Sequence, residues 1–116
     1  MKLDEIDPLY EMSGFKSKTT GLPANIEIWT RTEPRNHGHS RYRVKVKKDR
    51  EWAATFLVGS NPKMIDNYNH SLLGREIAQI QQFIIQHKSA LINLIDDKID
   101  SAECGIAIMK RRGEVI

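Results

Sequence analysis

One change of rhythm along this chain constrains its fold more than any other feature. Apolar residues recur at every second position up to about residue 58, and from Ser71 onward the period lengthens to about 3.6. In 26–31, Ile26, Ile28 and Thr30 share one face and Glu27, Trp29 and Arg31 the other. In 41–48, Tyr42, Val44 and Val46 oppose Arg41, Arg43, Lys45 and Lys47. Residues 52–58 are apolar on both faces, as an interior strand requires. Then Leu73, Ile77, Ile80, Ile84, His87, Leu91 and Leu94 follow one another at steps of four and three, a single helical stripe.

Strands that precede helices in so short a chain predict an α+β fold. The expectation is a small antiparallel sheet of three strands, near 24–31, 41–48 and 51–58, with one or two C-terminal helices packed on one face. The helix should cover 72–95 and break at 87–89, where Ser89 is a candidate N-cap. Residues 1–22 read as a lead-in, with Ser13 and Gly14 in loop, and 23–99 as a single domain. Residues 100–116 read as a tail or an extra edge strand, the fourth of the sheet. Residues 63–65 read as a short extension and 66–69 as polar loop. The predicted core is Ile28, Tyr42, Val44, Val46, Phe56, Ile77, Ile80 and Ile84.

With 116 residues the chain has room for one core and no more. No apolar run approaches the ~20 residues of a membrane helix, so no membrane association is expected. The first twelve residues are mixed in charge and lack the apolar stretch of a signal peptide. Cys104 is the single cysteine, which excludes an intrachain disulfide and a cysteine-based zinc site. Together these predict a cytoplasmic protein.

The net charge of +3 is mild, but its distribution is not. Between residues 31 and 51 stand eight Lys or Arg and three Asp or Glu, a local net of +5 that leaves −2 for the rest. Strand spacing sets Arg41, Arg43, Lys45 and Lys47 in a row at ~6.6–6.8 Å intervals, which suits a surface that tracks a phosphate backbone. Trp29 on the neighbouring strand supplies a stacking face. The same row also suits an acidic protein partner, or serves as a solvated face that protects a sheet edge.

His37 and His39 are the second constellation. Their spacing puts both imidazoles on one side of an extended chain, a metal-ligand arrangement. Only Glu33 lies close in sequence and the arginines repel a cation, so no metal and no cofactor is expected. The pair also fits metal-independent RNA cleavage. One histidine would deprotonate a 2′-hydroxyl, and Arg41 or Arg43 would stabilise the phosphorane. His87, on the apolar helix stripe, reads as a core histidine bonded to a backbone group, and Cys104 as an inert small residue. Lys110, Arg111 and Arg112 form a second basic cluster.

The stretch Asn36-His37-Gly38-His39-Ser40-Arg41-Tyr42-Arg43-Val44 has the spacing of the motif Asp-His-x-Pro-Pro-His-x-His-Val. In this respect residues 21–95, about two-thirds of the chain, resemble a family of small bacterial proteins, domain-of-unknown-function family 4160. The resemblance implies a short strand, a motif strand running into a hairpin, two C-terminal helical stretches and an association with toxin–antitoxin gene pairs. His37 matches the first histidine, Tyr42 the spacer and Val44 the valine. The proline pair is replaced by His39 and Ser40, and the paired histidines by Arg41 and Arg43. A role that needs imidazoles there does not carry over, whereas one that needs cationic donors does.

The functional expectation is a binding module of toxin–antitoxin or phage–host accessory type. Its partner is nucleic acid or an acidic protein, bound by Arg41, Arg43, Lys45, Lys47 and Trp29. The alternative is a ribonuclease using His37 and His39 with Arg41 and Arg43. A third class is a homodimer that pairs through an edge strand.

Overall fold

The computed structural model describes residues 12–32 and 42–113. Five antiparallel strands run in sequence order across one open sheet: β1 Met12–Phe15, β2 Ile26–Arg31, β3 Arg43–Lys48, β4 Glu51–Leu57 and β5 Met64–Asn67. A single helical turn, α1 Ser17–Thr20, sits between β1 and β2, and two longer helices follow, α2 Gly74–Ile95 and α3 Ser101–Arg111. The class is α+β, with three strands and the long helix close to where the periodicity places them.

The alternation carries the core. Ile26 and Ile28 of β2, Val44 and Val46 of β3, and Ala54 and Phe56 of β4 are wholly buried on the inner face. They join Ile80, Phe83, Ile84, Leu91, Leu94 and Ile95 of α2 and Cys104 and Ile108 of α3 in one cluster. Each large aliphatic or aromatic side chain buried there contributes roughly 1.5–3 kcal/mol. Tyr42 and Ile77, expected in the core, are only half-buried and pack against its rim. The Tyr42 hydroxyl instead donates to the Asp96 carboxylate at 2.8 Å, tying the start of β3 to the end of α2.

The β3–β4 hairpin turns on Asp49 and Arg50, with φ of 54° and 70°. Two successive left-handed residues make the type I′ turn whose twist matches the flanking strands. That turn pairs Lys48 with Glu51 and Lys47 with Trp52, and a bulge then brings Val46 opposite Ala54. The bulge leaves Trp52 on the outer face while Ala53 and Ala54 are both buried.

Three parts of the chain depart from the sequence expectation. The lead-in contains an edge strand, β1, whose Phe15 enters the core, and α1, closed by Gly21 in the left-handed region at φ 80°. The polar stretch after residue 63 pairs with β4 as the opposite edge, β5. Residues 101–111 are neither tail nor strand but helix α3. Asp100 accepts the Glu103 N–H at 2.7 Å while Glu103 accepts the Asp100 N–H at 2.9 Å, a reciprocal cap. Cys104 and Ile108, one turn apart, then bury that helix's apolar stripe. The interruption expected at 87–89 is present as a kink at His87 (φ −114°, ψ 19°) between two helical stretches of α2, but Ser89 lies inside the second stretch rather than capping it.

Candidate functional site

Among the described residues the long helices pack on the inner face, so the outer face of the sheet collects whatever the other half of each strand carries. There the cross-strand registers build rows. One row runs Gly14, Trp29, Lys45, Thr55 and Asp66 across all five strands. Neighbouring strands lie ~4.7–4.9 Å apart, so each side chain in the row stands beside the next. A second row pairs Glu27 with Lys47 and Lys47 with Trp52.

Trp29 is fixed from three sides. Its indole lies flat over β1, where a Cβ on Gly14 would meet Trp29 Cε2 at 2.5 Å, so only glycine permits that approach. Its Nε1–H donates to Glu27 Oε1 at 2.9 Å. Its ring meets that of Trp52 edge-on, with centroids 6.0 Å apart. Lys47 Nζ stands 5.0 Å from the Trp29 ring centre and 4.6 Å from that of Trp52, and Lys45 Nζ 5.5 Å from Trp52. The ammonium groups thus rest on aromatic faces. Among the described carboxylates none forms an ion pair with Arg43, Lys45 or Lys47. Tyr68 completes the set: its hydroxyl is 2.6 Å from Thr55 Oγ1, and 48% of the residue remains exposed. A cavity of about 270 Å³ opens between Trp29, Arg43, Lys45, Asp66 and Tyr68.

Of the residues singled out in the sequence, Trp29, Arg43, Lys45 and Lys47 thus share one surface. Arg41, His37 and His39 lie outside the described residues. Sequence reasoning missed Trp52, Tyr68, Thr55 and Asp66. The two-residue turn at Asp49 and Arg50 was the available signal for Trp52, because it sets Trp52 opposite Lys47. Nothing comparable announces Tyr68 and Asp66.

The other titratable candidates are spectators in the core. His87 is buried, its ring 4.8 Å from Phe83. Its Nδ1 has no hydrogen-bond partner, contrary to the backbone bond expected of it. Burial, aided by the nearby Arg111 and Arg112 charges, pushes its pKa down to about 4. Burial pushes the Cys104 thiol up to about 12, which removes it as a nucleophile at neutral pH. Among the described residues no three His, Cys, Asp or Glu side chains gather as metal ligands would, and no helix is long and apolar enough to cross a membrane.

The chain matches no protein-family model, and neither a curated protein nor a solved structure matches it significantly. These comparisons neither support nor oppose the resemblance carried by residues 36–44.

Proposed function

We propose that this chain is a binding module for single-stranded nucleic acid and that the outer sheet face is its contact surface. The observation that carries the reading is the interleaving of Trp29, Trp52 and Tyr68 with Arg43, Lys45 and Lys47 on one face that no described helix covers. Aromatic rings stack on unpaired bases, and the cations between them neutralise phosphates. An acidic protein would use the cations and leave three aromatic faces without a purpose. A duplex hides its base faces, and a broad sheet enters neither groove in the way a helix or two-stranded ribbon does.

A cytoplasmic setting, rich in RNA, fits this reading, as does an accessory role beside a toxin–antitoxin pair or a phage. The edge strands β1 and β5 have four residues each, short for strand exchange, so the binding unit is taken as the monomer. The ribonuclease alternative depends on His37 and His39, outside the described residues, and predicts cleavage rather than retention.

The test is fluorescence anisotropy with end-labelled single-stranded RNA and matched DNA across a salt series. Three phosphate contacts, from Arg43, Lys45 and Lys47, predict a log–log salt slope of about −2 at roughly −0.7 per contact. The labelled RNA should be recovered intact. Absence of binding at low salt, or binding unaffected by Lys45→Glu with Lys47→Glu, overturns the proposal.

A further inference from the structure

We infer that the cavity between Lys45 and Asp66 is a guanine-reading pocket, an inference that rests on the single-strand reading above and names the base it selects. A surface built only to hold phosphates has no use for a carboxylate beside its cations. Yet Asp66 stands in the same cross-strand row as Lys45, two strands away, with Thr55 between them. Asp66, Arg43 and Lys45 line one cavity, and among the described residues none of their three side chains makes an ion pair or a hydrogen bond. Unpaired acceptors and donors facing one space suit a ligand that carries both kinds of group, which a base edge does and a phosphate does not.

The size agrees. About 270 Å³ lies just under the ~300–1,000 Å³ of pockets for drug-sized ligands, and fits one base. The Tyr68 ring is held by its hydroxyl bond to Thr55, and Trp29 by Gly14 and Glu27, so two aromatic walls are in place before a ligand arrives.

The carboxylate selects the base. Its two oxygens accept two parallel N–H groups, as they do from a guanidinium. Among the common bases guanine alone presents two adjacent donors, N1–H and N2–H, on its Watson–Crick edge. Cytosine and adenine offer one amino group beside an acceptor nitrogen that the carboxylate repels. Uracil offers one imide N–H between two carbonyls. The O6 and N7 acceptors of the same guanine suit the Arg43 and Lys45 side of the cavity, the pairing by which these side chains read guanine elsewhere. That edge is exposed in a single strand and hidden in a duplex.

The test uses labelled oligouridine with one central residue changed to guanosine, inosine, adenosine or cytidine, titrated by anisotropy. A bidentate contact predicts that the guanosine oligomer binds roughly 5- to 140-fold more tightly than oligouridine. Inosine, which lacks only the N2 amine, should lose several-fold. In Asp66→Asn, with its fold checked by circular dichroism, the ratio of guanosine-oligomer to oligouridine affinity should fall to about one. Equal binding of the guanosine, inosine and uridine oligomers overturns the pocket and leaves the single-strand reading standing. Preference retained in Asp66→Asn likewise overturns it. Absence of binding by every oligomer overturns both. Guanosine 5′-monophosphate binding as tightly as the oligomer would assign the cavity to a free nucleotide instead of a strand.

Discussion

Replacing Lys48 with methionine would remove the cation from a nearly enclosed ion pair while keeping most of the side chain's apolar stem. Lys48 Nζ donates to Glu76 Oε1 at 2.8 Å and to the Ser71 carbonyl at 2.8 Å, and the two side chains are only 13% and 8% exposed. Glu76 also accepts the Leu73 N–H at 2.8 Å, so the pair clamps the start of α2 onto the end of β3. Burial alone would raise the Glu76 pKa. The Leu73 N–H and Lys48 outweigh it, with help from the Arg75 charge, and hold the carboxyl below its ordinary value of 4.5. Removing one partner of a buried pair costs ~3–5 kcal/mol. The retained Leu73 bond and the partial exposure of Lys48 bring Lys48→Met to the bottom of that range or just below it, about 2–3 kcal/mol at neutral pH. The sign of the pH dependence follows. In the parent, the depressed pKa contributes stability above pH 4.5 that is lost as pH falls through the folded value. In Lys48→Met both lowering contributions of Lys48 are gone, so the folded carboxyl titrates above its value in the parent and takes up its proton more readily than the parent does. The deficit is therefore greatest near neutrality and shrinks as the carboxyl protonates. Urea unfolding of both proteins at about pH 7 and about pH 4 measures it. A loss below ~0.5 kcal/mol at neutral pH, or the same loss at both values, refutes the argument.

Three further outcomes follow from the packing. Ile80→Ala, at a wholly buried site on the α2 stripe, should lower stability by roughly 2–5 kcal/mol in denaturant unfolding, and a loss under half a kilocalorie would contradict its burial. His87, with its pKa lowered from 6.5 to about 4, binds fewer protons folded than unfolded in that interval, so stability should fall as pH drops through it. His87→Phe should flatten that dependence. Gly14→Ala should lift the Trp29 indole off β1, shift its fluorescence and weaken oligonucleotide binding by at least about 5-fold, the equivalent of one stacked base at ~1 kcal/mol or more.

Legibility in the sequence followed how much of an element's pattern is its own. β2, β3 and α2 carry complete periodic stripes, so Ile28, Val44, Ile80 and Ile84 declare their burial without knowledge of the partners. β1 has four residues and buries one side chain, Phe15, which is too little alternation to read. Its glycine reads as loop until the Trp29 ring is seen lying on it. β5 interrupts its own alternation with a register shift opposite Thr55 and Phe56, which hides Asp66 and Tyr68 in apparently polar loop. In α3 the run Ile106, Ala107, Ile108 and Met109 imitates a strand, and the capping spacing of Asp100 and Glu103 was the better guide. The basic row was legible because it lies within one strand. The aromatic half of the same surface comes from three strands and their flanks, and only pairing brings it together.

If the outer sheet face, and no other, receives a single strand, ligand-induced changes should be confined to that face. Amide and indole chemical-shift mapping by NMR during titration with a short oligonucleotide locates them residue by residue. The Trp29 and Trp52 indole N–H signals and the amides of Arg43, Lys45, Lys47, Asp66 and Tyr68 should shift. The amides of α3, on the opposite face of the sheet, should stay still. Shifts concentrated on α3 around Lys110 and Arg111, with both indole signals unmoved, would contradict that placement.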